Sequence, residues 1–293
     1  MIAFDKEKVS KHFSEDFLFK VLADLDSYAE KWGLTDFEHV DYYSVNCIFK
    51  CKSDKYGLCI LKIGDSPENM EAEFRMLQEY NKTTLCGVYE VDIENSVLLI
   101  ECIEPGTRLR DEIDIDKRLD VFSDLYRGLH KKPCGVYPTY MGWVSRITDY
   151  MSRREDYPCL YKHMVKAEEV CKSLCEKYPG AMLLHGDFHH DNILLGEGNR
   201  YRVIDPKGVM GDSVFDIPRF ILNEFDDVLD KVFSDKIAYV ITQLSKKLRV
   251  PDHDIKRLVY VEMCMAQCWM VESNQLPNMG EILYVKELLD DLS

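Results

Sequence analysis

The chain has 293 residues, with 37 Lys and Arg against 52 Asp and Glu, a formal net charge of −15, and 46% hydrophobic content. That length fits one large domain or two modest lobes with a sizeable core. The acidity argues against a nucleic-acid partner, whose binders present a basic surface; it suits a cationic small molecule, although it equally serves solubility.

Residues 5–30 place Val9, Phe13, Phe17, Val21 and Leu25 four apart, the spacing of one face of an amphipathic helix or two. The opening residues hold no apolar signal segment. Residues 37–41, 45–52 and 58–63 are short β-favouring runs, and residues 53–57 supply a turn between the last two. They predict a meander whose last strand, Cys59-Ile60-Leu61-Lys62-Ile63, carries one charge. A lysine there faces either solvent or a charged partner. A helix is predicted over 67–80, with Pro67 in its first turn, Glu68 at its positive end, and Glu71 and Glu73 along it. Residues 88–91 and 97–101 read as two more strands, and Pro105-Gly106 breaks the run sharply.

Beyond the break the pattern turns helical. Residues 116–131 put Leu119, Phe122, Leu125, Tyr126 and Leu129 on one face. Residues 148–157 predict a short polar helix, and 161–178 a longer one closed by Pro179-Gly180. The acidic group Asp111, Glu112, Asp114 and Asp116 reads first as a solvated charge run and second as the lining of a substrate cleft. Further amphipathic helices are expected over 229–248 and 254–271. No apolar run approaches the ~20 residues that span a bilayer, so no membrane partner is expected. The 11 cysteines include no C-x-x-C pair. They read as free thiols in a reducing cytoplasm, with Cys171/Cys175 and Cys264/Cys268 at helical spacing on apolar faces.

Residues 182–220 carry the chemistry. Two apolar runs, 181–184 and 193–195, flank the polar loop His-Gly-Asp-Phe-His-His-Asp-Asn at 185–192, and a β-rich run over 201–204 ends at Asp205-Pro206. Asp187 and Asn192 enclose four residues, and Asp205 arrives at the end of the next strand. Such oxygen-bearing side chains suit a magnesium-phosphate site, because Mg²⁺ takes few protein ligands and leaves the rest to phosphate and water. Phosphoryl transfer uses a loop Asp as base, an Asn further along as metal ligand, and a later strand-end Asp as the main metal ligand. Two other readings are open. Asp and Asn are ordinary turn residues. His185, Asp187, His189 and His190 are also metal-capable, as in a zinc hydrolase, but that reading leaves Asn192 and Asp205 unexplained.

The string LLHGDFHHDNIL, followed by VIDPKGVMGD and FDI, resembles the aminoglycoside phosphotransferase branch of the protein-kinase-like fold. It looks most like the streptomycin 6-kinase and hydroxyurea phosphotransferase subfamily. The resemblance implies an α+β, bilobal fold. Residues 1–101 would form a small β-rich N-terminal lobe of leading helices, antiparallel sheet and one helix. Residues 102–293 would form a larger helical C-terminal lobe with a catalytic loop at 185–192 and a metal-binding segment at 204–216. The break at Pro105-Gly106 would follow the hinge.

The resemblance also implies roles. Asp187 would accept or orient a hydroxyl proton, and Asn192 and Asp205 would hold Mg²⁺. Lys62 would hold the α/β-phosphates of ATP, oriented by a helical carboxylate. Glu73 is preferred to Glu71, because it stands four residues before the core Leu77. Backbone groups of Glu101 and Ile103 would meet the adenine. A glycine-rich phosphate cover is expected near 42–48, yet Tyr-Tyr-Ser-Val-Asn-Cys-Ile holds no glycine. Ser44 and Asn46 are therefore the covering candidates. Asp216 fits an anchor for the catalytic loop, while Lys207 either approaches phosphate or pairs with Asp212.

The Arg that follows the loop His in protein kinases is absent, as is the A-P-E segment, and the span from Asp205 to Asp216 leaves no room for a long activation loop. A small-molecule hydroxyl acceptor follows, aminoglycoside-like or hydroxyurea-like by resemblance. A housekeeping metabolite kinase of the same fold is an alternative, since fold does not fix substrate. A non-catalytic nucleotide-binding module is another, supported by the missing glycines. Oligomeric state and the choice of ATP or GTP leave no mark in the sequence.

Overall fold

In a computed structural model, which describes residues 14–40, 46–80, 84–225 and 230–287, alternation of side chains builds the N-terminal sheet. Strands β1 (Leu34–His39), β2 (Cys47–Ser53), β3 (Gly57–Ile63), β4 (Val88–Asp92) and β5 (Val97–Glu101) lie in the order β1-β2-β3-β5-β4, and every neighbouring pair is antiparallel. Successive strand residues point to opposite faces. Cys47, Phe49, Cys51, Cys59, Leu61, Ile63, Val97 and Leu99 therefore share one face, and bury it against Phe17, Val21, Leu25 and Tyr28 of helix α1 (Glu15–Trp32). Ser14 caps α1 by accepting the Phe17 amide at 3.3 Å, and Gly33 ends it in the left-handed region at φ +61°. The predicted Val9 and Phe13 positions lie outside the described residues.

Helix α2 (Pro67–Tyr80) matches its predicted limits and buries Met70, Glu73, Met76, Leu77 and Tyr80. The described residues fall into two units, drawn from Met1–Thr107 with Leu194–Ile204, and from Arg108–Ile193 with Asp205–Ser293. The division is thus not a single cut after residue 101. The hairpin of β7 (Ile193–Leu195) and β8 (Tyr201–Val203) is tied to the first unit through backbone. The Leu195 amide donates to the Thr107 carbonyl at 2.8 Å, the Gly106 amide to Leu195 at 2.9 Å, and the Val203 amide to Thr84 at 2.9 Å.

The second unit is mostly helical: α3 (Ile115–Leu129), α4 (Tyr140–Ser152), α5 (Pro158–Lys177), α6 (Ile217–Leu222), α7 (Lys231–Leu248), α8 (Asp252–Glu272) and α9 (Met279–Glu287). A two-stranded sheet pairs β6 (Met182–Leu184) with β9 (Val209–Gly211). The helix expected over 148–157 is displaced: α4 begins at Tyr140, where Thr139 accepts the Gly142 amide at 3.0 Å. Gly142 and the preceding Pro138 mask that start in a propensity reading.

The acidic group of 111–116 has local work. Asp114 caps α3 by accepting the amides of Asp116 and Lys117, Glu112 pairs with Lys117, and Asp116 accepts from Tyr239 at 2.5 Å. All 11 cysteines are free, with Cys171, Cys264 and Cys268 buried. Among the described residues no helix is long and apolar enough to cross a membrane.

Candidate active site

Strand parity places the candidate group of the first unit, Lys62 and Glu73. Lys62 pairs in register with Ile48 and Leu98, on the face opposite the α1 core. There its Nζ lies 2.7 Å from both carboxylate oxygens of Glu73, and the two residues are only 3% and 5% exposed. Glu73 belongs to the buried stripe of α2, whereas Glu71 turns outward to Arg75 at 2.5 Å. Of the two helical carboxylates, Glu73 is therefore the partner of Lys62. Asn46 sits over Gly64, where a Cβ would lie 2.7 Å from Asn46 Oδ1. Ser44 lies outside the described residues. The Glu101 amide donates to the Gly87 carbonyl at 2.8 Å, and its carboxylate accepts from Gly87 at 2.8 Å and from Arg202 at 2.9 Å. That amide is committed within the sheet. Ile103 is buried, and its carbonyl backs onto Gly106, where a Cβ would come within 2.8 Å of the oxygen.

The candidate group of the second unit is a loop, so its backbone groups need side-chain partners. Asp216 supplies two of them. Its Oδ2 accepts the His185 amide and its Oδ1 the Gly186 amide, each at 2.8 Å, and His130 Nε2 lies 2.9 Å from Oδ2. Gly186 adopts φ +78°, and a Cβ there would lie 3.0 Å from Trp143 Cη2 and 3.1 Å from Val209 Cγ1. Glycine both takes this conformation and fits the space, and a larger residue after His185 would do neither without strain. Phe188 is fully buried and stacks on Phe122 of α3 at 4.7 Å, with Phe220 of α6 packed on Phe122 at 4.1 Å.

The 3₁₀ turn at His190–Asn192 is held by charge. Arg110 grips Asp191 through Nε and Nη2, each at 2.7 Å. His190 Nε2 lies 2.7 Å from Glu224, which also accepts twice from Arg118 at 2.9 Å. Burial opposes the charge of Glu224, yet His190 and Arg118 outweigh it and hold the carboxyl down at about 2.

Asn192 links the turn to Asp187. Its Nδ2 donates to the Asp187 carbonyl at 2.9 Å and lies 3.4 Å from the Asp187 carboxylate. Three cationic or polar groups face that carboxylate: His189 Nε2 and Arg219 Nε at 3.4 Å, and Lys207 Nζ at 3.9 Å. Burial pushes the Asp187 carboxyl up, but the His189 bond and the charges of Arg219 and Lys207 overcome it, and the group stays well below the usual carboxylate range. Such an anion is a weak base.

Asp205 follows β8 in the left-handed region at φ +59°, which a non-glycine residue keeps only when its surroundings impose it. Its Oδ2 lies 2.6 Å from Lys207 Nζ. Lys207 thus pairs with Asp205, while Asp212 accepts the Val214 and Gly180 amides, both at 3.2 Å. The donor set fits magnesium. Asp205 already presents an oxygen to a cation, and Asn192, with its nitrogen turned to Asp187, has its amide oxygen as the atom a hard cation takes. Two of the four metal-capable residues of the hydrolase reading have other partners: His185 Nδ1 accepts the Asp187 amide at 3.2 Å, and His190 faces Glu224. Among the described residues no three His, Cys, Asp or Glu side chains form a metal-holding group.

Sequence reasoning missed Arg219, Glu262 and Tyr140. Arg219 Nη2 lies 2.7 Å from Glu262 of α8, the guanidinium covers the Trp269 ring at 4.7 Å, and the Tyr140 hydroxyl donates to Glu262. The available signal was an Arg in the apolar Ile217–Leu222 segment and a lone charge, Glu262, within residues 258–265.

The sequence model of the family described as "Aminoglycoside/hydroxyurea antibiotic resistance kinase" matches residues 46–274. The streptomycin 6-kinase of Streptomyces griseus is 25% identical over 167 residues, which cover 54% of this chain and 52% of that protein. The chain spans about half the length of the curated relatives it matches. Among solved structures, the choline kinase LicA from Streptococcus pneumoniae is similar with a TM-score of 0.63 at 16% identity, over 91% of this chain and 97% of that one. A thermostable variant of the aminoglycoside phosphotransferase APH(4)-Ia, in complex with ADP and hygromycin B, gives 0.60 at 13% identity, over 90% and 96%. These likenesses show the α+β, bilobal protein-kinase-like fold.

Proposed function

This chain belongs to the aminoglycoside/hydroxyurea antibiotic resistance kinase family, and from that membership we propose that it transfers the γ-phosphoryl group of ATP to a hydroxyl of a small molecule. The observation that carries the reading is the loop in which Asn192 is bonded to Asp187 while Asp216 holds the preceding amides. The acceptor oxygen forms a bond to the γ-phosphorus as the bond to the β,γ-bridging oxygen breaks. The electron pair leaves on ADP, and the hydroxyl proton passes to the Asp187 carboxylate.

Asn192 and Asp205 would hold Mg²⁺, which when bound neutralises phosphate charge. Lys62, kept in place by Glu73, would hold the α/β-phosphates. Backbone groups of Glu101 and Ile103 would meet the adenine, with Ser44 and Asn46 covering the phosphates. The protein contributes placement and charge stabilisation, and no covalent intermediate is needed. Eleven free cysteines support a reducing, cytoplasmic setting.

A thermal-shift titration with MgATP and MgGTP, followed by mass spectrometry of acceptor products, tests this reading. Streptomycin, hydroxyurea and choline form the acceptor panel. It spans charged and neutral compounds, because the net charge of −15 favours cations while Arg219 beside Asp187 disfavours them. MgATP raises the parent's melting midpoint, and one acceptor gains a phosphoryl group. Asp187→Asn keeps the shift and loses product formation by about 10²–10⁴-fold. A shift without product from any hydroxyl compound would indicate a binding module. No shift with either nucleotide at millimolar levels would overturn the reading.

A further inference from the structure

Lys207 stands between two carboxylates assigned to different tasks. Its Nζ is 2.6 Å from Asp205 Oδ2 and 3.9 Å from Asp187 Oδ2. We infer that Lys207 is a further catalytic residue: its ammonium occupies the cation position on Asp205 before nucleotide arrives, then transfers to the oxygens of the migrating phosphoryl group. The inference rests on the phosphotransferase reading and extends it to a residue outside the loop, magnesium and phosphate-anchor assignments.

The position is built. The Lys207 amide donates to the His185 carbonyl at 2.8 Å, so the backbone is pinned to the catalytic loop. Gly186 leaves room for the stem, since a Cβ there would lie 3.3 Å from Lys207 Cβ. The head, in contrast, reaches solvent. The Lys207 side chain is 37% exposed, against 4% for Lys62 in its closed pair with Glu73. A compact ammonium on a flexible four-carbon stem can exchange partners without backbone movement.

Electrostatics then gives the order of events. An ammonium 2.6 Å from Asp205 Oδ2 competes with any divalent cation for that oxygen. A divalent cation arriving on Asp205 repels the ammonium, and Asp187 Oδ2 at 3.9 Å draws it to the other side. There the head meets the non-bridging phosphoryl oxygens, where fixed positive charge stabilises the transition state. Lys207 forms no covalent bond and moves no electrons. The bond changes are those between acceptor oxygen, phosphorus and ADP, and the proton goes to Asp187.

The test compares parent, Lys207→Met, which keeps the stem without the charge, and Lys207→Arg. Mn²⁺ binding is measured by electron paramagnetic resonance without nucleotide. MgATP turnover is measured with the acceptor that the parent phosphorylates or, lacking one, with water. Lys207→Met is expected to bind Mn²⁺ about tenfold more tightly, the size of an ordinary coupling between two sites. Its kcat is expected to fall about 100-fold or more, as when one transition-state donor is removed. KM for MgATP is expected to stay within about threefold, and Lys207→Arg to recover most of kcat.

Unchanged Mn²⁺ affinity together with unchanged kcat would overturn the inference. So would a rise in KM at constant kcat, which marks ordinary ground-state binding. Circular dichroism of each variant separates misfolding from these outcomes, and if the Met variant misfolds, Lys207→Gln, which also removes the charge, takes its place in both readouts. If the parent neither binds nor turns over nucleotide, the phosphotransferase reading fails and the catalytic role falls with it. The Mn²⁺ arm then still reports whether Lys207 and a divalent cation compete for Asp205.

Discussion

The Lys62–Glu73 pair and the Asp187–Asn192 loop are both largely buried, yet they are held in different ways. The pair is set by two regular elements. Parity of β3 chooses the face for Lys62, the α2 stripe chooses it for Glu73, and two bonds of 2.7 Å follow. The loop has no ladder to lean on. It is fixed by side chains from remote segments: Asp216 at its first amides, Phe122 and Phe220 around Phe188, and Arg110 and Glu224 at its last turn. A site half built on regular elements concentrates its risk in one contact. A site half built on a loop spreads its geometry over many contacts, each of which positions the reacting group.

The largest effect is expected from Asp216→Ala. It leaves two loop amides and His130 without their shared acceptor, at a cost of about 3–5 kcal/mol. Calorimetry should show the lower melting midpoint, and phosphoryl transfer should be lost with it. Glu73→Ala should cost a comparable amount, about 3–5 kcal/mol, because the buried Lys62 loses its carboxylate. Here MgATP binding should weaken while a peptide map of hydrogen exchange over 185–192 stays at the parent's level. A loop that loosens in Glu73→Ala would break the contrast.

Acid should separate the two halves next. The Glu224 carboxyl sits at about 2, below its ordinary value of 4.5. Its folded-state value is depressed, so its contribution is complete above the unfolded value and is lost as pH falls from about 4.5 towards 2, roughly 3 kcal/mol in all. The stability gap between parent and Glu224→Gln, read by urea denaturation, should close across that window. A gap that is flat with pH would show that His190 and Arg118 do not hold this charge.

Gly186→Ala should cost about 1–3 kcal/mol, since a side chain would have to keep a left-handed backbone while meeting Trp143. Smallest of all is Glu71→Ala, which removes an exposed i,i+4 pair with Arg75 worth about 0.3–0.5 kcal/mol. A melting curve shifted as far as that of Glu73→Ala would reverse the assignment of the two glutamates.

The same contrast governs what could be read from the chain. Lys62 stood out as the one charge in an apolar strand, and α2 kept its predicted limits because Pro67 and the apolar stripe define it. The spacing of Asp187, Asn192 and Asp205 marked them as candidates, and the Phe-Asp-Ile string marked Asp216, which holds the His185 and Gly186 amides. Lys207 was not legible: the chain left phosphate and Asp212 open as its partners, and the contact with Asp205, two residues before it, appears only in three dimensions. Arg219 and Glu262 meet only in three dimensions, across α6 and α8. The start of α4 was hidden by Gly142, and the two runs of the β7–β8 hairpin were legible while the non-local bonds that join it to the first unit were not.

That hairpin bears on how the protein is made. A ribosome delivers the chain from its N-terminus, and domains generally fold as they emerge. The first unit, however, includes Leu194–Ile204. The carbonyl of Thr107 and the amide of Gly106 stay without their Leu195 partners until most of the second unit's early helices have been synthesised. Vectorial synthesis therefore cannot finish the N-terminal unit first. Its last backbone bonds close only after the Asp187 loop has left the ribosome.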